Sequence, residues 1–284
     1  MTESPTRRIS VNGVELAWDA WGEERPPPPL VLCHGFIGSS FDFALQVDAL
    51  AADRYVVALD QRGHGLSEKT HDAATYSVAQ LSSDLISFIE SATRPPVDLL
   101  GHSLGGRVVL GAVLQRPELV RSLILMDTSA WSFLPEDPQL RALMGGFIES
   151  FDPSGELPDP TSMRGPEDDL IEAATPGSWR DHKLDLYRSF DPSAFKALGS
   201  ELFSSQALSV RDRLPEIACP VTVLVGENDH PFVDQAPALA AELPEGRLAV
   251  IDGAYHSPQL THPQVWRAAL AEHLARPLRS GGSS

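Results

Sequence analysis

VDLLGHSLGGRVVL, residues 97–110, sets an apolar run, a glycine-flanked serine and a helix-like segment end to end. Its centre, Gly101-His102-Ser103-Leu104-Gly105, has the pattern G-x-S-x-G, and its position between strand and helix is the setting of a nucleophile elbow. A turn that sharp strains the serine backbone and leaves little room for neighbouring side chains, which Gly101 and Gly105 satisfy, with Gly106 adding space. The turn also places Ser103 at a helix N-terminus, where free N–H groups and the helix dipole favour developing negative charge. Ser103 is therefore the candidate nucleophile.

A serine hydroxyl needs a base to take its proton. With this motif the acid follows the serine in the chain and the histidine comes last, each on a loop after a strand. Of nine histidines, only His256, in IDGAYHSPQL, lies on the loop a few residues after the last apolar run. His262 and His273 fall in the next helix-like segment, while His34, His64, His71 and His102 precede or adjoin Ser103. For the acid, VTVLVGENDHPF offers Glu227 and Asp229. Asp229 is preferred, because Glu227 follows the strand by a single glycine and has less room to swing. Asp127, at the end of LILMD, is a rival that otherwise reads as a turn or cap residue. Two backbone N–H groups are expected to hold an oxyanion: that of Leu104, and that of Phe36 in the loop His34-Gly35-Phe36-Ile37-Gly38.

Outward from the elbow the chain alternates between apolar runs and helix-like stretches. The runs are LVLC (30–33), YVVAL (55–59), VDLL (97–100), SLILM (122–126), VTVLV (221–225) and LAVI (248–251). Runs this apolar suit strands covered on both faces. Helices are expected around 41–52, 77–92, 103–115, 233–243 and 263–275, and the alternation predicts an α/β protein with a mostly parallel sheet and right-handed crossovers. RRISV and VELAWDAW, either side of Asn12-Gly13, read as an antiparallel hairpin, and Pro26–Pro29 should lie outside the sheet. From Thr128 to Leu214 no β-like run occurs and prolines are frequent. This interval predicts a helical cap, or lid, 128–214, inserted in a core formed by 1–127 and 215–276, with 277–284 a flexible tail.

The chain carries 22 Lys+Arg against 39 Asp+Glu, a formal charge of −17. That field repels polyanions, and nucleic acid is excluded as an expected partner. Its sign also disfavours anionic lipid. Cys33 and Cys219 lie 186 positions apart beside apolar runs, which supports neither a disulfide framework nor a zinc site. The N-terminal MTESPTRRIS has no signal-like apolar run, and no stretch of 18 apolar residues is present, so a cytoplasmic protein is expected. The loop Asp60-Gln61-Arg62-Gly63-His64-Gly65-Leu66-Ser67 lacks the spacing of a phosphate cradle; Arg62 and His64 read as groups that hold loops near the site.

HGFIGSS, DQRGHGLS, GHSLGG, GENDHPF and GAYHSPQLTHP occur in an order and spacing that resemble the α/β-hydrolase superfamily, over roughly residues 8–128 and 214–275. The cap matches no subgroup. The resemblance implies an eight-stranded, mostly parallel sheet flanked by helices, catalysis without metal or organic cofactor, and functional roles at Ser103, Asp229, His256, Phe36 and Leu104. A serine nucleophile disfavours epoxide hydrolases and dehalogenases, which use aspartate. The chain looks most similar to small bacterial esterases and enol-lactonases, with a small or medium carboxylic ester or lactone as substrate. Two alternatives remain: a C–C hydrolase of vinylogous diketones, made less apt by Ser257 where such enzymes often have tryptophan, and a non-catalytic ligand-binding member of the fold. Oligomeric state is not legible.

Overall fold

The computed structural model describes residues 6–276 except 23, 25, 135, 136, 161–163 and 204–208. The expected flexible tail, 277–284, lies outside the described residues. The eight strands are β1 (Arg7–Val11), β2 (Val14–Trp21), β3 (Leu30–Cys33), β4 (Val56–Leu59), β5 (Val97–His102), β6 (Val120–Met126), β7 (Val221–Gly226) and β8 (Gly246–Ile251). They form one sheet in the order β1-β2-β4-β3-β5-β6-β7-β8. β1 and β2 pair antiparallel around Asn12-Gly13, where both residues take positive φ, and β2 pairs antiparallel with β4. All pairs from β4 across to β8 are parallel.

Alternate residues of the central strands serve two cores, as the two-residue period of a strand demands. Val31, Val57, Leu99 and Leu123 pack with α2 (Val78–Ala92), α3 (Leu104–Gln115) and α8 (Phe232–Glu242). Leu30, Leu32, Leu100 and Ile124 pack on the other face with α1 (Val47–Leu50) and with Trp266 and Leu270 of α10 (Pro263–Leu274). Burial on both faces explains why these strands read as continuous apolar runs. β8 departs from that expectation: it ends the sheet, and Leu248 and Val250 are 41% and 44% exposed.

A second departure concerns the helix expected around 41–52. It is instead a 3-10 turn, Ser40–Phe43, followed by the four-residue α1. The Ser39 N–H donates to Asp42 and the Ser40 N–H to Asp60, so side chains fix the entrance to this segment in a turn. Cys33 is buried and Cys219 half-buried, and both are free thiols.

Between β6 and β7 the described residues contain helices and no strand. These are α4 (Pro138–Ser150), α5 (Pro166–Ala174), α6 (Gly177–Arg188) and α7 (Pro192–Leu202). Proline stands at the start of three of them, where its missing N–H costs nothing. Asp137 and Asp191 cap α4 and α7 by accepting first-turn N–H groups. The short α9 (Pro258–Thr261) packs against α5, joining this helical segment to the loop after β8. Among the described residues no helix is long and apolar enough to cross a membrane.

Candidate active site

Parallel strands end on one edge of the sheet, so the loops after β3, β5, β6, β7 and β8 converge there. Ser103 ends the turn from β5 into α3, with φ 53° and ψ −118°, a strained conformation for a residue with a side chain. Three hydrogen bonds hold it: its N–H donates to the Met126 carbonyl at 2.9 Å, and its carbonyl accepts from Thr128 Oγ1 at 2.6 Å and from Gly106 N–H at 2.9 Å. Gly105 is required by close approach, since a Cβ there would lie 2.3 Å from the Cys33 carbonyl oxygen. The serine is 7% exposed.

The loop after β3 passes close to Ser103: a Cβ on Gly35 would sit 3.1 Å from Ser103 Cβ. Phe36 follows, its ring packed against Phe195 and Phe190 at centroid distances of 5.3 and 5.8 Å. Leu104 is the first residue of α3, so its N–H has no partner within the helix. These are the two residues whose N–H groups the sequence nominates for an oxyanion.

His256 Nδ1 lies 2.8 Å from Asp229 Oδ2. A carboxylate only accepts, so Nδ1 carries the proton and Nε2 is left as the acceptor. The ring stacks on Phe232 and is one third exposed, whereas the Asp229 carboxylate is 9% exposed. Burial opposes protonation of His256, but the charge and hydrogen bond of Asp229, joined by the charge of Glu167, outweigh it and raise the imidazole pKa. Among the described residues no hydrogen bond joins the Ser103 hydroxyl to the imidazole.

The rival acids are occupied differently. Asp127, fully buried with φ 48°, accepts the Gly226 N–H at 2.8 Å, and burial together with the Asp229 charge raises its pKa well above the usual carboxylate range. Glu227 accepts the Gly253 N–H at 2.8 Å. Neither bonds to His256. Arg62 is held in a two-point pair with Asp84 at 2.8 and 3.0 Å, and His64 Nδ1 donates to the Arg62 carbonyl, so both brace the loop after β4.

Two contributors escape the sequence. His102 donates from Nε2 to the His256 carbonyl at 2.8 Å, and burial first, then the neighbouring His256 charge, lowers its pKa to about 3, so it stays neutral. Glu167, the second residue of α5, accepts the Ser257 N–H at 2.5 Å. No short-range pattern marks either contact.

A cleft of about 360 Å3 opens between the Gly35–Gly38 loop and helices α5 and α6. Phe36, Ile37, Trp179, Leu184, Tyr187 and Leu260 supply apolar wall, and His256 also lines the cleft. Lys183 and Asp42 form an ion pair across it. Among the described residues no group of three His, Cys, Asp or Glu is placed to hold a metal ion.

Comparison with known proteins agrees with this architecture. The profile of the family described as the alpha/beta hydrolase fold matches residues 28–263. The chain is 28% identical over 278 residues to an uncharacterized hydrolase, YugF, of Bacillus subtilis, covering 96% of this chain and 97% of that one. It is 27% identical over 252 residues to the sn-1-specific diacylglycerol lipase ABHD11 of Xenopus tropicalis, covering 86% and 76%. Among solved structures, the enol-lactonase from Burkholderia xenovorans superposes with a TM-score of 0.74 at 22% identity, over 95% of this chain and 100% of that one.

Proposed function

This chain belongs to the α/β-hydrolase fold family, and from that premise we propose that it hydrolyses a small or medium carboxylic ester or lactone through an acyl-enzyme on Ser103. The observation that carries the reading is the pairing of a strained serine at the end of β5 with a His256–Asp229 bond on the same sheet edge.

His256 Nε2 takes the proton of the Ser103 hydroxyl as its oxygen attacks the substrate carbonyl carbon. The carbonyl oxygen becomes an oxyanion, to which the Phe36 and Leu104 N–H groups donate. Collapse breaks the bond to the alcohol oxygen, which receives the proton from His256. In a lactone that alcohol remains attached to the acyl chain. Water then attacks the acyl-serine, His256 taking its proton and returning one to Ser103. Asp229 holds the imidazole in the tautomer that this sequence needs. The chemistry draws only on side chains, backbone N–H groups and water.

Helices α4–α7 are assigned as the lid over the cleft, and the remaining described chain as the catalytic core. The cleft's volume suits a ligand of modest size, and its apolar wall suits an acyl chain or ring. The reading predicts turnover of p-nitrophenyl butyrate by the purified protein and its loss in Ser103→Ala. A variant as fast as the parent would remove Ser103 as nucleophile.

A further inference from the structure

We propose that Glu167 is a positioning residue for the base: carried on the lid helix α5, it clamps the peptide that follows His256 and adds a second negative charge beside the imidazole, so that lid docking sets the readiness of the base. The inference rests on the reading of His256 as general base.

The geometry centres on one peptide unit, 256–257. Its carbonyl, from His256, accepts the Nε2–H of His102, the neighbour of the nucleophile. Its N–H, from Ser257, donates to Glu167 Oε1 at 2.5 Å. The unit is thus held at one end by the strand that carries Ser103 and at the other by a helix lying between β6 and β7. α5 also packs on α9, which begins at Pro258, immediately beyond this peptide. The base loop therefore has two anchors, and only one of them belongs to the sheet.

The charges around the imidazole give this contact a second consequence. Asp229 approaches from the loop before α8, Glu167 from α5, and His102 from the end of β5. His102 is neutral, and Phe232 offers only an aromatic face. Beyond them, Asp127 faces Asp229 from the end of β6, and Asp42 with Lys183 forms an ion pair across the cleft. Glu167 is thus the carboxylate other than Asp229 that favours the charged imidazole, and the one that travels with the lid. When α5 lifts from α9, His256 loses a clamp on its backbone and a negative neighbour together.

Glu167→Gln separates the two effects, because its amide oxygen still accepts the Ser257 N–H while the charge is gone. The test titrates the His256 ring by NMR in the full chain, with the resonance identified by its loss in His256→Gln. Asp169→Asn, which removes the same unit of charge from the exposed side of α5, is the control. The midpoint should fall by about half a pH unit or more in Glu167→Gln and stay in place in Asp169→Asn. Superimposable curves for the parent and Glu167→Gln would overturn the proposal. Turnover of p-nitrophenyl butyrate by the parent protein, measured alongside, separates the two levels: if the parent turns over and the curves coincide, only the role of Glu167 falls. If neither the parent turns over nor His256→Gln differs from it, the reading of the base falls and takes this proposal with it.

Discussion

Asp229 and Asp127 stand at adjacent strand ends, and the same low dielectric separates their roles. Asp229 reaches the imidazole Nδ1 at 2.8 Å. Asp127 is buried with its charge opposed by that of Asp229, which favours the neutral acid. Replacing a neutral acid by a neutral amide changes little in charge, so Asp127→Asn should keep kcat within about tenfold of the parent. Asp229→Asn removes the carboxylate charge and can turn an amide N–H towards Nδ1, which favours the wrong imidazole tautomer, and should lower kcat by roughly 10³-fold or more. Steady-state kinetics on one ester checks both, and the reverse ranking would move the acid to Asp127. The raised pKa of His256 carries a sign as well. The base must be neutral, so activity is lost as pH falls through that pKa, and the acid limb of kcat/KM should lie above the ordinary histidine value of about 6.5. A limb centred below that value would contradict the electrostatic account of the site.

The strand–turn–helix unit from β5 to α3 explains how much was legible at the level of elements. Its glycines, its apolar strand and its serine are close in sequence because the turn itself demands them, so the strained turn and the candidate nucleophile on it could be read locally. Gly105 shows how tight the unit is. An added methyl would meet the Cys33 and His34 carbonyl oxygens at 2.3 and 2.6 Å, both backbone atoms. Gly105→Ala must push α3 away from β3, and a loss of about 1–3 kcal/mol in urea unfolding, with reduced turnover, is expected. A variant equal to the parent in both would show that the elbow relaxes freely. The helical segment was legible only as a class. Its prolines and the absence of β-like runs predicted helices, and Pro138, Pro166 and Pro192 do begin them. The contact from Glu167 to Ser257 spans 90 positions and depends on how α5 settles on α9, which no periodicity encodes. The segment around 41–52 is a 3-10 turn and a four-residue helix, and its start is tied by the Ser40 N–H to Asp60, a side chain from a distant loop that no local pattern announces.

Across the whole molecule, six parallel neighbours from β4 to β8 make one edge of the sheet into the place where separate loops meet. The strand runs were visible in sequence because burial on both faces removes polar alternation. The exposed outer strand β8 kept the same apolar look, and its status as an edge came only from the topology. Folding also buries histidines whose charge the interior resists. His273 packs under β7 with Nδ1 2.7 Å from Thr222 Oγ1, and burial first, then nearby arginines, lowers its pKa to about 3. The unfolded chain protonates this group near pH 6.5 and the folded chain does not, so its contribution destabilises the fold as pH falls from about 6.5 towards 3. From pH 7 to pH 5 the parent should lose about 2 kcal/mol relative to His273→Asn. Parallel urea titrations of the two proteins at both pH values measure this difference, and a pH-independent gap would contradict it.

The central claim is that one serine, set at the end of β5 and served by His256, is an activated nucleophile. A fluorophosphonate reacts with such a serine irrespective of the natural acyl group, and peptide mass spectrometry locates the adduct. The account predicts stoichiometric labelling at Ser103, abolished in His256→Gln. An unlabelled Ser103 in the parent protein, or an adduct on another residue, would contradict it.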